Sequence, residues 1–532
     1  MIERRLNTMP TAVLGAVTSV TGSQMKVRLS EKPEVDHRDG HAARIGGMLK
    51  VPGLDREVLG RVTEVELEEL TGRYLLVVDL IGEISDGRFR RGVSHHPLPA
   101  SPAFAASEDD LHVIYNHPSL FDIRVGTLYD SADQAAYVQI DDLLGKHFAV
   151  VGSTGSGKSC TVALLISSIL NAHPNAHVLM LDPHNEYARA FGDKAEVLNV
   201  NNLQLPLWML DSEEAVRVLV VGGSAAERET QAMILRDTIL RARRHYAGDA
   251  PGSSSITVDT PVPYRIADLI RFINEAMGRL DKPDTTMPYL RLRSRLESLR
   301  ADRRFSFMFA EGLDAPDTLA DVLGRLMRIP VNGKPIAILD LSGVPSDVTD
   351  VVVSLCCRLI FDFAVWSKRD EMPPVLIVCE EAQRYVPAHP DSGFDATARV
   401  ITRVAKEGRK YGLSLALVSQ RPSELAPEAL SQCGTIFALR MGSEVDQKFV
   451  ARAVADAARG MLASLPSMPT QQALVSGEGV RLPMRIRMDD LAPEHRPSSE
   501  GAAFSTEWQT DLTDGVLREQ GIRRWRMQAR QP

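Results

Sequence analysis

Nowhere in the 532 residues does an uninterrupted apolar run approach the ~18 residues needed to cross a bilayer, so no membrane span is expected. The opening MIERRLNTMP has no apolar core of the signal-peptide kind. Cysteine is scarce. Cys160, Cys356, Cys357, Cys379 and Cys433 form no CxxC pair, and most lie in apolar runs, which predicts buried thiols in a reducing cytoplasm. A net positive charge is missing too. The formal charge of −8 argues against a basic coat, although positive charge confined to a channel would suffice to hold nucleic acid. No internal repeat is found. What remains is ordinary for a globular chain: 44% hydrophobic and 24% charged residues, on a length that suggests several domains.

Residues 1–105 read as β. Short apolar stretches (AVLGAVTSV, MKVRL, VLGRVTEVEL, YLLVVDLIGEI) recur between Gly and Pro punctuation, which predicts a small barrel. The segment His95–Phe104 holds three prolines and reads as a linker. From about residue 120 strands and helices alternate, which predicts an α/β core with a parallel-type central sheet. Its clearest strands are His147–Val151, His177–Leu181, Ile336–Leu341, Val375–Cys379, Leu413–Val418 and Thr435–Leu439. The core runs over 106–210 and 331–490. Residues 211–330 read as a helical insertion, with Leu292, Leu296 and Leu299 at helical spacing; the arginines among them read as a solvated face. Residues 491–532 read as a polar tail, either loose or docked on a neighbouring subunit.

Four strand ends carry chemistry. The first is Gly152, Ser153, Thr154, Gly155, Ser156, Gly157, Lys158, Ser159, entered by the strand KHFAVV and left by an apolar helix beginning at Cys160. Glycines let the backbone curl until its N–H groups face phosphate oxygens. Lys158 supplies a point charge for the β- and γ-phosphates of ATP, and Ser159 a hydroxyl for Mg²⁺. The helix N-terminus adds partial positive charge. The second is the buried strand VLIVC followed by Glu380 and Glu381. By position Glu380 serves the metal and Glu381 orients the attacking water. The third is LVS–Gln420, a polar strand end able to report the γ-phosphate. The fourth is LDPHNEY, which places Asp182 beyond a strand end, beside the nucleotide or as a turn cap.

These motifs, GSTGSGKS, LDPHNEY, VCEEAQRYVP and KEGRKYG followed by LVSQRPSEL, resemble in that order the HerA family of the FtsK–HerA ATPases. The resemblance spans roughly residues 1–490 and implies a RecA-like P-loop ATPase core behind a HAS-type barrel. It implies a homo-hexamer that moves double-stranded DNA through a central channel and works with a nuclease of the NurA kind. It equally permits a ring scaffold that regulates an effector enzyme in phage defence. Residue by residue, Lys158 and Ser159 match the family's Walker A pair, Asp182 its second-strand acid, Glu380 and Glu381 its acidic pair, and Gln420 its strand-end glutamine. Arg409, in KEGRKYG, matches an arginine expected at the nucleotide of an adjacent subunit. Arg440 is a second candidate, acting in cis, and Lys146 a weaker basic candidate before the P-loop strand. Two departures stand out: Asn185 where glycine is common, and Glu380 where Asp is common. The connector Ala388–Arg399 reads either as a pore-facing loop or as an exposed connector with no DNA contact.

Overall fold

The computed structural model describes residues 13–31, 42–53, 55–68, 72–115, 122–129, 134–249, 252–278, 283–309, 316–389, 394–454, 459–498, 504–509 and 515–527. Seven strands build the first part: β1 (Val13–Val20), β2 (Gln24–Leu29), β3 (Met48–Pro52), β4 (Glu57–Glu68), β5 (Arg73–Ser85), β6 (Arg88–Arg91) and β7 (Pro102–Ala105). Six of them close into a barrel in the order β2-β1-β7-β3-β4-β5, with β5 pairing back to β2. Alternation drives this. On β2, Met25, Val27 and Leu29 turn inward while Gln24, Lys26 and Arg28 stay outside. The sixth strand hangs on β5 outside the closed ring, through a tight turn in which Asp86 and Gly87 both have positive φ.

The segment 95–104, expected as a proline-rich linker, instead runs into the barrel. Pro102 opens β7, which closes the barrel between β1 and β3. A proline is tolerated at the first residue of a strand, where its missing N–H costs no ladder bond.

The core strands are β8 (Asp122–Leu128), β9 (Ala135–Gln139), β10 (Phe148–Val151), β11 (His177–Asp182), β12 (Ala195–Leu198), β13 (Ile336–Asp340), β14 (Val375–Cys379), β15 (Leu413–Ser419), β16 (Thr435–Ala438), β17 (Gln472–Gly477) and β18 (Met484–Met488). They form one sheet in the order β12-β13-β11-β14-β15-β10-β16-β17-β18-β8-β9. The first seven are parallel. The last four attach antiparallel, so the sheet is mixed rather than parallel throughout. Apart from the edge strand β12, the parallel strands are buried on both faces, as their apolar runs predict. On β10, Ala149 and Val151 enter one core and Phe148 and Val150 the other.

One face is covered by the helix Lys158–Ala172, which contributes Val162, Leu165 and Ile169. The other is covered by Ser346–Trp366 and by the helices of 211–330, whose Leu292, Leu296 and Leu299 are buried. The arginines among those leucines behave as a solvated face: Arg291 pairs with Glu227 and Arg293 with Glu297. The candidate pore loop is shorter than expected. Residues 390–393 of Ala388–Arg399 lie outside the described residues, and Asp395–Arg399 begin the helix Asp395–Glu407. The start of the C-terminal segment is docked, since Ser498 N–H donates to Glu186 O at 2.8 Å and His495 packs on Ala190 O.

His147 pins the amino end of the P-loop strand. Its Nδ1 accepts the Leu415 N–H at 3.0 Å and its Nε2–H donates to Ala405 O at 3.0 Å, so both nitrogens are used by the neutral ring. Burial pushes its pKa down from 6.5 to about 4, against the Ala405 carbonyl and with help from Arg409. An unfolded chain therefore takes up this proton below about 6.5, while the native one does so only near 4. Stability should be level above that window and fall as pH drops through it, by on the order of 3 kcal/mol from this residue. The check is urea unfolding from pH 7 to 4. His147→Asn, which tolerates the residue's φ of 55° but cannot titrate, should flatten the dependence.

Candidate active site

The carboxyl ends of β10, β11, β14 and β15 meet on one edge of the sheet, and all four motifs lie there. The loop after β10 curls through Gly155 (φ 71°) and Gly157 (φ 99°), conformations that side chains rarely adopt. A Cβ on Gly152 would lie 2.8 Å from Leu439 Cβ and 2.8 Å from Ser156 Oγ, so the loop is also closely packed. Its base is tied down by Gly152 N–H to Ser419 O (3.2 Å) and Ser153 N–H to Arg440 O (2.9 Å). Ser156 Oγ is buried without a hydrogen-bond partner.

Lys158 is buried, and its ammonium donates to Ser153 O at 3.2 Å. Burial lowers its pKa, while Glu380, Glu381 and Glu186 oppose that shift. Glu380 is buried, with one oxygen accepting from the Tyr187 hydroxyl at 2.7 Å. Its pKa is pushed up to about 8, first by burial and then by the charges of Glu381 and Glu186, against the Tyr187 hydrogen bond and Lys158.

Glu381 sits in left-handed backbone (φ 53°, ψ 48°), an unfavourable conformation for a non-glycine residue that is common at functional sites. Both carboxylate oxygens are occupied: Gln420 donates to one and Gln383 to the other. Gln420 in turn accepts from Thr154 Oγ1 of the P-loop, and Gln383 accepts from Ser419 Oγ at 2.7 Å. A continuous polar chain thus links the phosphate loop, the acid and the end of β15.

Asp182 is fully buried. Its two oxygens accept the N–H groups of His184 (3.2 Å) and Tyr187 (3.0 Å), so the side chain shapes its own turn, as a cap does. Burial raises its pKa, and those N–H groups pull the other way. Asn185 takes φ 55°, a conformation asparagine tolerates. Glu186, Tyr187 and Gln383 join the site without having been expected from the motifs. Glu186 accepts from Ser159 Oγ at 2.8 Å, across 27 positions of chain. Its place in LDPHNEY was the only available signal, because the partner is distant in sequence.

The basic candidates separate. Arg440 is at the site in cis, donating from Nη2 to Gly155 O at 3.3 Å. Cys160 lies in the first turn of the P-loop helix, half-buried, with its thiol pKa raised by burial. Arg409 lies at the other end of the sheet, before β15, where it lines a cavity of about 730 Å³ with Arg369, His173 and His177. Lys146 is also at that end and is paired with Glu478. The seven residues of β15 span roughly 20 Å at ~3.3 Å each, so neither reaches the P-loop of its own chain.

A family model described as "Helicase HerA, central domain" matches residues 123–360. The chain is similar to the DNA double-strand break repair helicase HerA of Pyrococcus furiosus, at 26% identity over 72% of this chain and 72% of that protein. It is also similar to the probable DNA double-strand break repair helicase HerA of Methanocaldococcus jannaschii, at 24% identity over 82% of this chain and 88% of that protein. Among solved structures, VirB4 of Thermoanaerobacter pseudethanolicus matches with a TM-score of 0.48 and 16% identity, over 72% of this chain and 99% of that one. With the four motifs in family order and the family model over residues 123–360, the chain is similar to the HerA proteins of the FtsK–HerA P-loop ATPases.

Proposed function

We propose that this chain hydrolyses ATP to move double-stranded DNA through a homo-hexameric ring and works with a nuclease partner in DNA processing. One observation carries the hydrolytic part: Glu381 is held in strained backbone and wired through Gln420 to Thr154 of the phosphate loop. Such a connection couples a base that orients water to the group that would sense the γ-phosphate. The DNA part rests on the helicase relatives, and the ring on Arg409, which has no phosphate to serve within its own chain.

The residues fit ATP with Mg²⁺. Ser156 Oγ is a buried orphan on the phosphate loop, and Glu186, Glu380 and Glu381 gather around a single lysine. Among the described residues no cluster of three or more His, Cys, Asp or Glu forms a metal cage, which suits an ion held by one or two side chains plus phosphate oxygens and water. Ser159, Glu380 and Glu186 would hold that ion, which when bound would neutralise phosphate charge. Lys158 would supply positive charge to the β- and γ-phosphates. Glu381 takes the proton of the attacking water, and Arg440 braces the loop.

The test is displacement of a third strand from a triplex-bearing duplex. ATP-dependent displacement by the wild-type chain, absent in Lys158→Ala, is expected. Hydrolysis without displacement would overturn the translocation reading in favour of a ring that regulates an effector enzyme.

A further inference from the structure

The β5–β6 hairpin does no evident work for the barrel. The ring is closed by β5 on β2, and β6 adds a short outer strand with a free edge. Yet β6 reads Arg88-Phe89-Arg90-Arg91. Phe89 anchors it. The ring lies across Gly82, where a Cβ would come within 2.5 Å of it, and packs with Leu59, Ile84, Ile114 and Leu482. The hairpin is therefore held against the ATPase core, a junction also fastened by Arg61, which donates to Pro483 O at 2.7 Å and to the Tyr115 hydroxyl at 2.8 Å.

The three arginines are exposed, and among the described residues none has an ion-pair or hydrogen-bond partner. Two other exposed or half-buried barrel guanidiniums are neutralised: Arg28 by Glu68, and Arg56 by Asp55 and Glu83. Glu83, which faces Arg90 in register, is occupied by Arg56, Ser94 and His95. Asp86, at the tip, is the acid nearest in sequence. Arg481 of the β17–β18 loop joins Arg88 and Arg91 around an open cleft of about 520 Å³. Two separate parts of the fold thus bring guanidiniums to one place, on a chain whose acids outnumber its Lys and Arg by 69 to 61.

We infer that this hairpin is a phosphate-backbone contact for duplex DNA at the barrel, outside the nucleotide site. Guanidinium forks match phosphate oxygens and lose little hydration on pairing. A two-stranded ribbon has the dimensions to lie along a duplex groove, and contacts of this kind hold the duplex without reading its sequence. The inference rests on the DNA-motor reading above.

The test measures fluorescence anisotropy of a labelled duplex bound by the full chain with a non-hydrolysable ATP analogue, across a salt series. R88Q/R90Q/R91Q should weaken binding at least about tenfold and make the salt dependence shallower by about 2–3 in slope, since each phosphate contact contributes about 0.9. R88K/R90K/R91K should restore most of the binding, and DNA-free ATP hydrolysis should be unchanged in both. An unchanged affinity and slope in the glutamine variant would overturn the inference, and loss of partner-protein association instead would mark the hairpin as a protein-docking site. Wild-type protein that binds no duplex would overturn the motor reading itself.

Discussion

Glu381→Gln should lower ATP turnover by roughly 10²–10⁴-fold, the usual contribution of a positioned general base. ATP binding should survive within a few-fold, because Lys158, Ser159 and the phosphate loop are untouched. The amide keeps the size of the carboxylate but cannot take a proton. It also offers one acceptor oxygen where Gln420 and Gln383 now use two, so one of those two hydrogen bonds is lost. A fluorescent ATP analogue measures binding, and phosphate release measures turnover. The expected pattern is a nucleotide-loaded protein that hydrolyses slowly. Wild-type turnover in this variant would remove Glu381 from the chemistry.

Arg409→Ala should cost about 10³-fold or more in turnover with ATP binding retained, as loss of an arginine supplied across an interface does. The structure separates this from a local effect, because Arg409 lies at the amino ends of β11, β14 and β15 beside His173 and His177. Mixing decides the point. Lys158→Ala and Arg409→Ala should each be inactive alone. In the proposed ring, a mixed assembly would contain some interfaces with an intact Lys158 facing an intact Arg409, and those should recover turnover. No recovery on mixing would argue that Arg409 is structural, for instance through its position near His147.

Much of the core was legible because its strands are short unbroken apolar runs between glycines and polar ends. Val375–Cys379 matches its predicted bounds, and Leu413–Ser419 differs by one residue. The site was legible where a motif is contiguous, as in Gly152–Ser159 and Glu380–Glu381. The antiparallel extension β17-β18-β8-β9 was not. Its pairing joins Ile486 to Leu128 across hundreds of residues, and no local pattern encodes such a partner. The strand β7 was hidden by prolines that mark a linker in most contexts but here sit before and at a strand start. Asp182 shows the limit at a single residue: its position at a strand end suited both water and cap, and only the N–H groups of His184 and Tyr187 show where its oxygens go. Glu186 and Gln383 were invisible as site residues for the same reason, since their contacts to Ser159 and to Ser419 are tertiary.

Hydrolysis coupled to duplex DNA is the central expectation for this chain. Steady-state phosphate release by the full chain, with and without linear duplex, tests this most directly, with Lys158→Ala as the blank. The expected result is turnover that rises several-fold with duplex and disappears in Lys158→Ala. Turnover indifferent to DNA, or surviving in Lys158→Ala, would contradict it.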